Sequence, residues 1–166
     1  VDAVSDRGLM TIGVGGRVKM VDEVKEFVIA WARESATRED ITITQRDIRE
    51  IQLAKGAIRS AWRVLLKGAG IKPSELDKVY VAGAFGTHIN PSNAKILGLL
   101  PDVPNKSIEF VGNTSVTGAK MCLISREARK EAEALARKMR YVELASDPDF
   151  QSIYMDSLSF GRVVRI

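Results

Sequence analysis

A chain of 166 residues, 45% hydrophobic and 28% charged, has the length and balance of one globular domain, or of a lobe of a larger one. Its net charge of +4 is spread without a dense basic run or interleaved aromatics, so nucleic acid is not an expected partner. One cysteine, Cys122, and one histidine, His88, exclude an internal disulfide and fall short of the four ligands of an iron–sulfur cluster or a structural zinc site.

Residues 1–9 read as the end of a helix running into Gly8, an abrupt start that leads us to expect a piece of a longer protein. Residues 10–32 read as β structure: Met10-Thr11-Ile12, a turn at Gly13-Val14-Gly15-Gly16, then Arg17 to Met20 and an apolar run at 27–32. That glycine turn is not a dinucleotide fingerprint, because Val18 stands where the third glycine belongs and no clear helix follows. Residues 33–40 form a polar loop, and Ile41-Thr42-Ile43 a short strand.

Thr44 then caps the longest predicted helix, with Asp47 placed to reach back to the cap amide. Ile51, Ala54, Ile58, Ala61 and Leu65 form its apolar stripe, and Gly68 and Gly70 end it. The opposite face carries Gln52, Lys55, Arg59 and Arg63. It reads either as solvated or, more sharply, as turning Lys55 or Arg59 toward a nucleotide.

A buried strand at 78–82 runs into Gly83-Ala84-Phe85-Gly86, and Asn90-Pro91 opens a helix that ends near Gly98. A second strand at 107–111 runs into Gly112-Asn113-Thr114-Ser115 and a helix through Gly118, Ala119 and Leu123, with Cys122 on its apolar face. Ser125 starts another helix, striped by Ala128, Ala132, Leu135, Ala136 and Met139. A strand is predicted at 141–144, and Asp147-Pro148 is predicted to cap a last helix that docks through Phe150, Ile153, Tyr154 and Leu158. This order predicts an α/β fold, a mixed sheet flanked by helices.

The informative chemistry lies where two apolar strands meet glycine turns and helix starts. Ligands collect at the carboxyl ends of strands in open sheets, and helix-opening amides attract anions. Either turn alone is ordinary strand-to-helix geometry; two on neighbouring strands suggest a shared phosphate or ribose cleft. Thr87, Thr114, Ser115 and Thr117 add hydroxyls, and Asn113 both donates and accepts. Neither turn is a Walker loop, His88 reads as an ordinary loop histidine, and no catalytic set assembles from the sequence.

Several phrases together resemble the reductive activators of corrinoid-dependent methyltransferases. They are Ile43-Thr44-Gln45-Arg46-Asp47-Ile48-Arg49-Glu50-Ile51-Gln52-Leu53-Ala54-Lys55-Gly56-Ala57-Ile58, Val81-Ala82-Gly83-Ala84-Phe85-Gly86, Val111-Gly112-Asn113-Thr114-Ser115, Gly118-Ala119-Lys120-Met121 and Asp147-Pro148-Asp149-Phe150. The resemblance runs from about residue 22 to 160. It implies an actin-like, ribonuclease H-like ATPase lobe of the acetate and sugar kinase, heat-shock chaperone and actin superfamily, with residues 1–166 as one domain of a longer protein.

By that resemblance, Gly83, Ala84, Phe85 and Gly86 match the adenosine-side turn, with Ala84 where many relatives carry a second glycine. Gly112, Asn113, Thr114 and Ser115 join them as nucleotide-binding candidates, and Lys55 and Arg59 are carried over from the long helix. Asn90 stands where relatives often have an acidic residue, which argues against a metal or acid role there, and no metal site is expected in this chain.

The implied function is the ATP-binding lobe of a cytoplasmic activator in anaerobic metabolism that returns cob(II)alamin to cob(I)alamin on a corrinoid protein. The implied cofactors are ATP with magnesium, and an iron–sulfur cluster held outside this chain. The implied partners are the corrinoid protein and the remaining domains of the parent, with no membrane partner, and the piece alone is not expected to hydrolyse ATP. Two alternatives stay open: a corrinoid-protein docking module with a vestigial nucleotide cleft, and a lobe of a small-molecule kinase of the same superfamily.

Overall fold

The computed structural model describes residues 3–11, 15–83 and 89–160. Three antiparallel strands form a meander, β1 (Val18–Val21), β2 (Val24–Ala30) and β3 (Ile41–Thr44), in the order β1-β2-β3. Asp22 and Glu23 make the β1–β2 turn, both at positive φ (47° and 65°). Two successive left-handed residues suit the twist of a tight hairpin. The sequence reading passed over this turn because neither residue is glycine or asparagine. Within the meander, Lys19 bonds Asp40 at 2.7 Å and Val28 is fully buried. The Lys19 bond holds the Asp40 carboxyl below its usual range, with the Ala32 amide adding to the effect.

Helix α1 (Gln45–Ala69) starts as the sequence predicts. Thr44 Oγ1 accepts the Asp47 amide at 3.1 Å, and Asp47 Oδ2 accepts the Thr44 amide at 2.8 Å. Gly70 closes the helix in the left-handed conformation (φ 67°). A βαβ unit follows: β4 (Val79–Ala82), α2 (Pro91–Leu97) and β5 (Ile108–Gly112), with β4 and β5 parallel. Asn90 caps α2 through the Asn93 amide, and Gly98 ends it at φ 82°. Then come α3 (Thr114–Ile124), α4 (Arg126–Lys138) and α5 (Phe150–Leu158).

The chain is therefore mixed α/β, as predicted, with its described strands divided between the meander and the β4–β5 pair. Two local expectations fail. Residues 3–10 are a closed turn rather than a helix end: Val4 bridges Met10, and the Gly8 amide bonds the Ser5 carbonyl at 2.9 Å with Gly8 at φ 77°. Residues 141–144 form no strand; the chain turns through a short 3-10 segment, Leu144–Ser146, before α5. Residues 141–144 carry strand-like residues but pair with no strand among the described residues. The predicted Asp147 cap fails too: Asp149 is the N-cap residue of α5, with no side-chain cap bond. Gly13 and Val14 of the predicted glycine turn lie outside the described residues, while Gly15 and Gly16 do turn, at φ 57° and 70°.

Helix α5 packs along α1 at the site of Gly56, where an added Cβ would lie 2.7 Å from Leu158 Cδ2. The meander, α1 and α2 meet around an apolar cavity of about 330 Å³ lined by Phe27, Ile43, Ile48, Ile51 and Ile96. Met10, Val28, Ile48, Val64, Ala94 and Val103 are the buried apolar residues of the described chain. Along α4 the predicted stripe stays largely open, with Leu135 and Met139 exposed. Cys122 is half-buried, its thiol 3.9 Å from the Ala128 carbonyl, rather than part of a core.

Candidate functional site

Parallel pairing places Gly83 beside Gly112. Val79 registers with Ile108, Tyr80 with Glu109 and Val81 with Phe110; the register then shifts, so that Ala82 faces Gly112. One residue on, the Gly83 amide donates to the Gly112 carbonyl at 2.7 Å. Both chains thus turn off the sheet at the same, carboxyl end. Gly83 has φ 98° and Gly112 φ 65°, values that side chains other than glycine rarely tolerate. Among the described residues a Cβ at either glycine would meet nothing within 4 Å, so the requirement is backbone conformation, and those residues leave the space beside both glycines open.

Helix α3 starts at that same end. Asn113 Oδ1 accepts the Val116 amide at 3.1 Å, and Thr117 Oγ1 donates to the Asn113 carbonyl at 3.1 Å. Amides in the first turn of a helix have no partner within the helix, and Asn113 satisfies only that of Val116. The amides and hydroxyls of Thr114 and Ser115 are left at an exposed helix end where partial positive charge gathers. This donor set and the open space fit a phosphate or a ribose. Of the predicted residues, Gly83, Gly112, Asn113, Thr114 and Ser115 come together here, while Ala84, Phe85, Gly86, Thr87 and His88 lie outside the described residues.

Lys55 and Arg59 sit elsewhere, on the face of α1 that the sequence allows to be solvated. That expectation is overturned for part of the face, because Lys55 is 0% and Gln52 5% exposed. The Lys55 ammonium donates to the carbonyls of Ser157, at 2.8 Å, and Ser159, and lies 4.9 Å from the Phe160 ring centre. Burial, and then the Arg59 charge beside it, lower its pKa from 10.5 to about 8. Arg59 packs against Gly98 at the end of α2, where a Cβ would lie 3.2 Å from its Nη1.

The sequence reading missed what this face does. Gln45 Nε2 donates to the Gly8 carbonyl at 2.6 Å, while its Oε1 accepts the Met10 amide at 2.8 Å. Gln52 Nε2 reaches the carbonyls of Arg7 (3.2 Å) and Leu158 (3.1 Å). Farther along, Arg63 pairs with Asp156, and Lys67 with Asp147 (2.9 Å) and Asp149 (2.7 Å). One stripe of polar side chains therefore ties the N-terminal turn and α5 to α1. Its only signal in the sequence is the spacing of Gln45, Gln52, Lys55, Arg59, Arg63 and Lys67 by seven, three and four residues.

A meander, a long capped helix and a βαβ unit with two glycine turns at one strand end define a lobe of the actin-like class. The comparisons specify it further. The family model described as the C-terminal domain of RACo, the ASKHA domain, matches residues 3–163, and the chain belongs to that family. It is similar to a corrinoid activation enzyme of Eubacterium limosum, RamQ, with 40% identity over 88% of this chain and 25% of that protein. A reductase of a methylated-amine-specific Co(II) corrinoid protein from Methanosarcina barkeri is 31% identical over 72% of this chain and 22% of its own length. Among solved structures, a reductive activator for a corrinoid, iron–sulfur protein superposes with a TM-score of 0.84 at 34% identity, over 95% of this chain and 25% of that one. The chain thus spans about a quarter of the length of these relatives. Among the described residues no helix is long and apolar enough to cross a membrane.

Proposed function

We propose that this chain is the nucleotide-binding lobe of an ATP-dependent activator that returns cob(II)alamin to cob(I)alamin on a corrinoid protein. The observation that carries the reading is the Gly83–Gly112 hydrogen bond of 2.7 Å, which sets two left-handed glycine turns beside the free amides that open α3. Gly83, Gly112 and Asn113 shape that ledge, and Thr114 and Ser115 present amides and hydroxyls to a phosphate or ribose. ATP with magnesium, when bound, supplies the energy of a phosphoanhydride bond to an electron transfer that is unfavourable alone. The relatives, activators or reductases of corrinoid proteins, support a corrinoid protein as the partner. The electron-donating cluster belongs to other domains of the parent, because a single cysteine leaves this chain without a thiolate set. The site of action is the cytoplasm.

Lys55 is left out of the proposed nucleotide contacts because its ammonium is held by two backbone carbonyls. The test is a titration of the chain with MgATP, followed through its amide resonances. Saturable shifts centred on Gly83 and residues 112–115 are expected, without turnover by this piece alone. An intact fold with those amides unmoved at saturating MgATP overturns the nucleotide reading. Binding to a corrinoid protein that persists equally with and without nucleotide would then favour a docking module.

A further inference from the structure

Four cationic side chains line a cavity of about 340 Å³ at the C-terminal half of α1, and among the described residues no carboxylate lines it. Two of them, Arg63 and Lys67, already hold acidic partners from the α5 side. Arg59 does not: among the described residues its guanidinium has neither an ion pair nor a hydrogen bond, and its charge opposes that of the neighbouring Lys55. Its Nε is buried without an acceptor, and so is the indole Nε1 of Trp62, one turn along the same helix and lining the same cavity. Buried donors are almost always satisfied, so two orphans on adjacent turns beside an unpaired guanidinium indicate a missing acceptor.

The rest of the lining specifies the acceptor further. Leu66, Ile71, Pro73 and the Trp62 ring supply apolar wall, while Lys72 adds an exposed ammonium at the rim. We infer that this cavity binds a carboxylate carried on an apolar body, the carboxylate lying against the Arg59 guanidinium and the body against the Trp62 and Leu66 side. Guanidinium recognises carboxylate through two parallel N–H bonds. The terminal nitrogens of Arg59, which are not sealed as Nε is, make the first contact. The cavity has the size of a small-molecule site. Lys72 and Pro73 precede β4 whereas Gly83 follows it, so the cavity lies at the other end of that strand from the glycine turns and does not depend on the nucleotide reading.

Sodium benzoate is the probe, titrated into the full chain at constant ionic strength held with sodium chloride, with inorganic phosphate in a parallel series. The Trp62 indole N–H and the Arg59 Nε–H resonances are expected to shift saturably with benzoate while the Trp31 indole stays in place. Arg59→Gln is expected to weaken the apparent affinity about tenfold, the loss of one charge-assisted contact. Lys72→Gln, at an exposed position, is expected to weaken it about twofold and serves where the Arg59 variant does not fold. Absence of a saturable shift in the wild-type chain overturns the proposal. So does an equal response to phosphate, which would leave only a general anion patch, or unchanged affinity in a folded Arg59→Gln chain.

Discussion

Helix α1 presents two faces whose burial runs against their composition. On the apolar face Ile51, Ile58 and Leu65 are 40%, 50% and 49% exposed, whereas on the polar face Lys55 and Gln52 are 0% and 5% exposed. That side is covered because Gln52 and Lys55 each find backbone carbonyls at the N-terminal turn or at the end of α5. The apolar face instead looks into open grooves, the cavity near Ile51 and a second one of about 540 Å³ flanked by Ile58, Leu65 and Leu100. Amphipathic pattern identifies a helix reliably, but which side ends up inside depends on where neighbouring chain can satisfy hydrogen bonds.

If the polar face is what holds the chain together, truncating it should hurt more than changing the apolar face. Lys55→Ala leaves two carbonyls without their donor and a cavity under Phe160, and should lower unfolding stability by about 3 kcal/mol in urea titrations. Gly56→Val, which drives side-chain atoms into Leu158, should cost about 2 kcal/mol by the same measurement. Thr44→Ala removes one side of the capping box that starts α1, at about 1 kcal/mol. Leu65→Gln on the half-exposed apolar face should cost about 0.5 kcal/mol. A Leu65 variant as damaging as Lys55→Ala would break the comparison.

The pH dependence sharpens it. Lys55 has a folded pKa of about 8 against an ordinary 10.5, so between those values the unfolded chain holds more of this proton than the folded one. Its contribution to stability therefore rises with pH across that window. Below about pH 8 both states are charged and the full cost of burying the ammonium is present. Wild-type stability measured against that of Lys55→Met should show this rise between pH 8 and 10.5. A constant difference between the two would mean that Lys55 is not buried as a cation.

Much of the chain's punctuation can be read locally. The Thr44–Asp47 box, the Asn90 and Ser125 caps and the closing Gly70 and Gly98 all stand where the residues say. Each is an interaction within a few residues of chain, so sequence carries it whole. The same holds for the pairing of a glycine turn with a helix start at Gly112. The errors fall where a distant partner decides. The polar stripe of α1 read as solvated because its acceptors lie about a hundred residues away, at Ser157, Leu158 and Ser159. Residues 141–144 have strand-like composition, but no strand is there to pair with them. The cavity beside Arg59 joins side chains from one helix turn after another to Lys72 and Pro73, and a list of helix neighbours does not reveal that no carboxylate arrives.

By itself the sequence determined most of the elements and their caps, the glycines that follow two strands and the family whose phrases it carries. The tertiary structure alone decided that Gly83 and Gly112 share one strand end, that Lys55 is a buried tie between α1 and α5, and that Arg59 has no counterion among the described residues. The division follows from range. Capping and glycine conformation are settled within a turn or two of backbone, whereas burial, pairing and charge compensation depend on what the rest of the fold brings near.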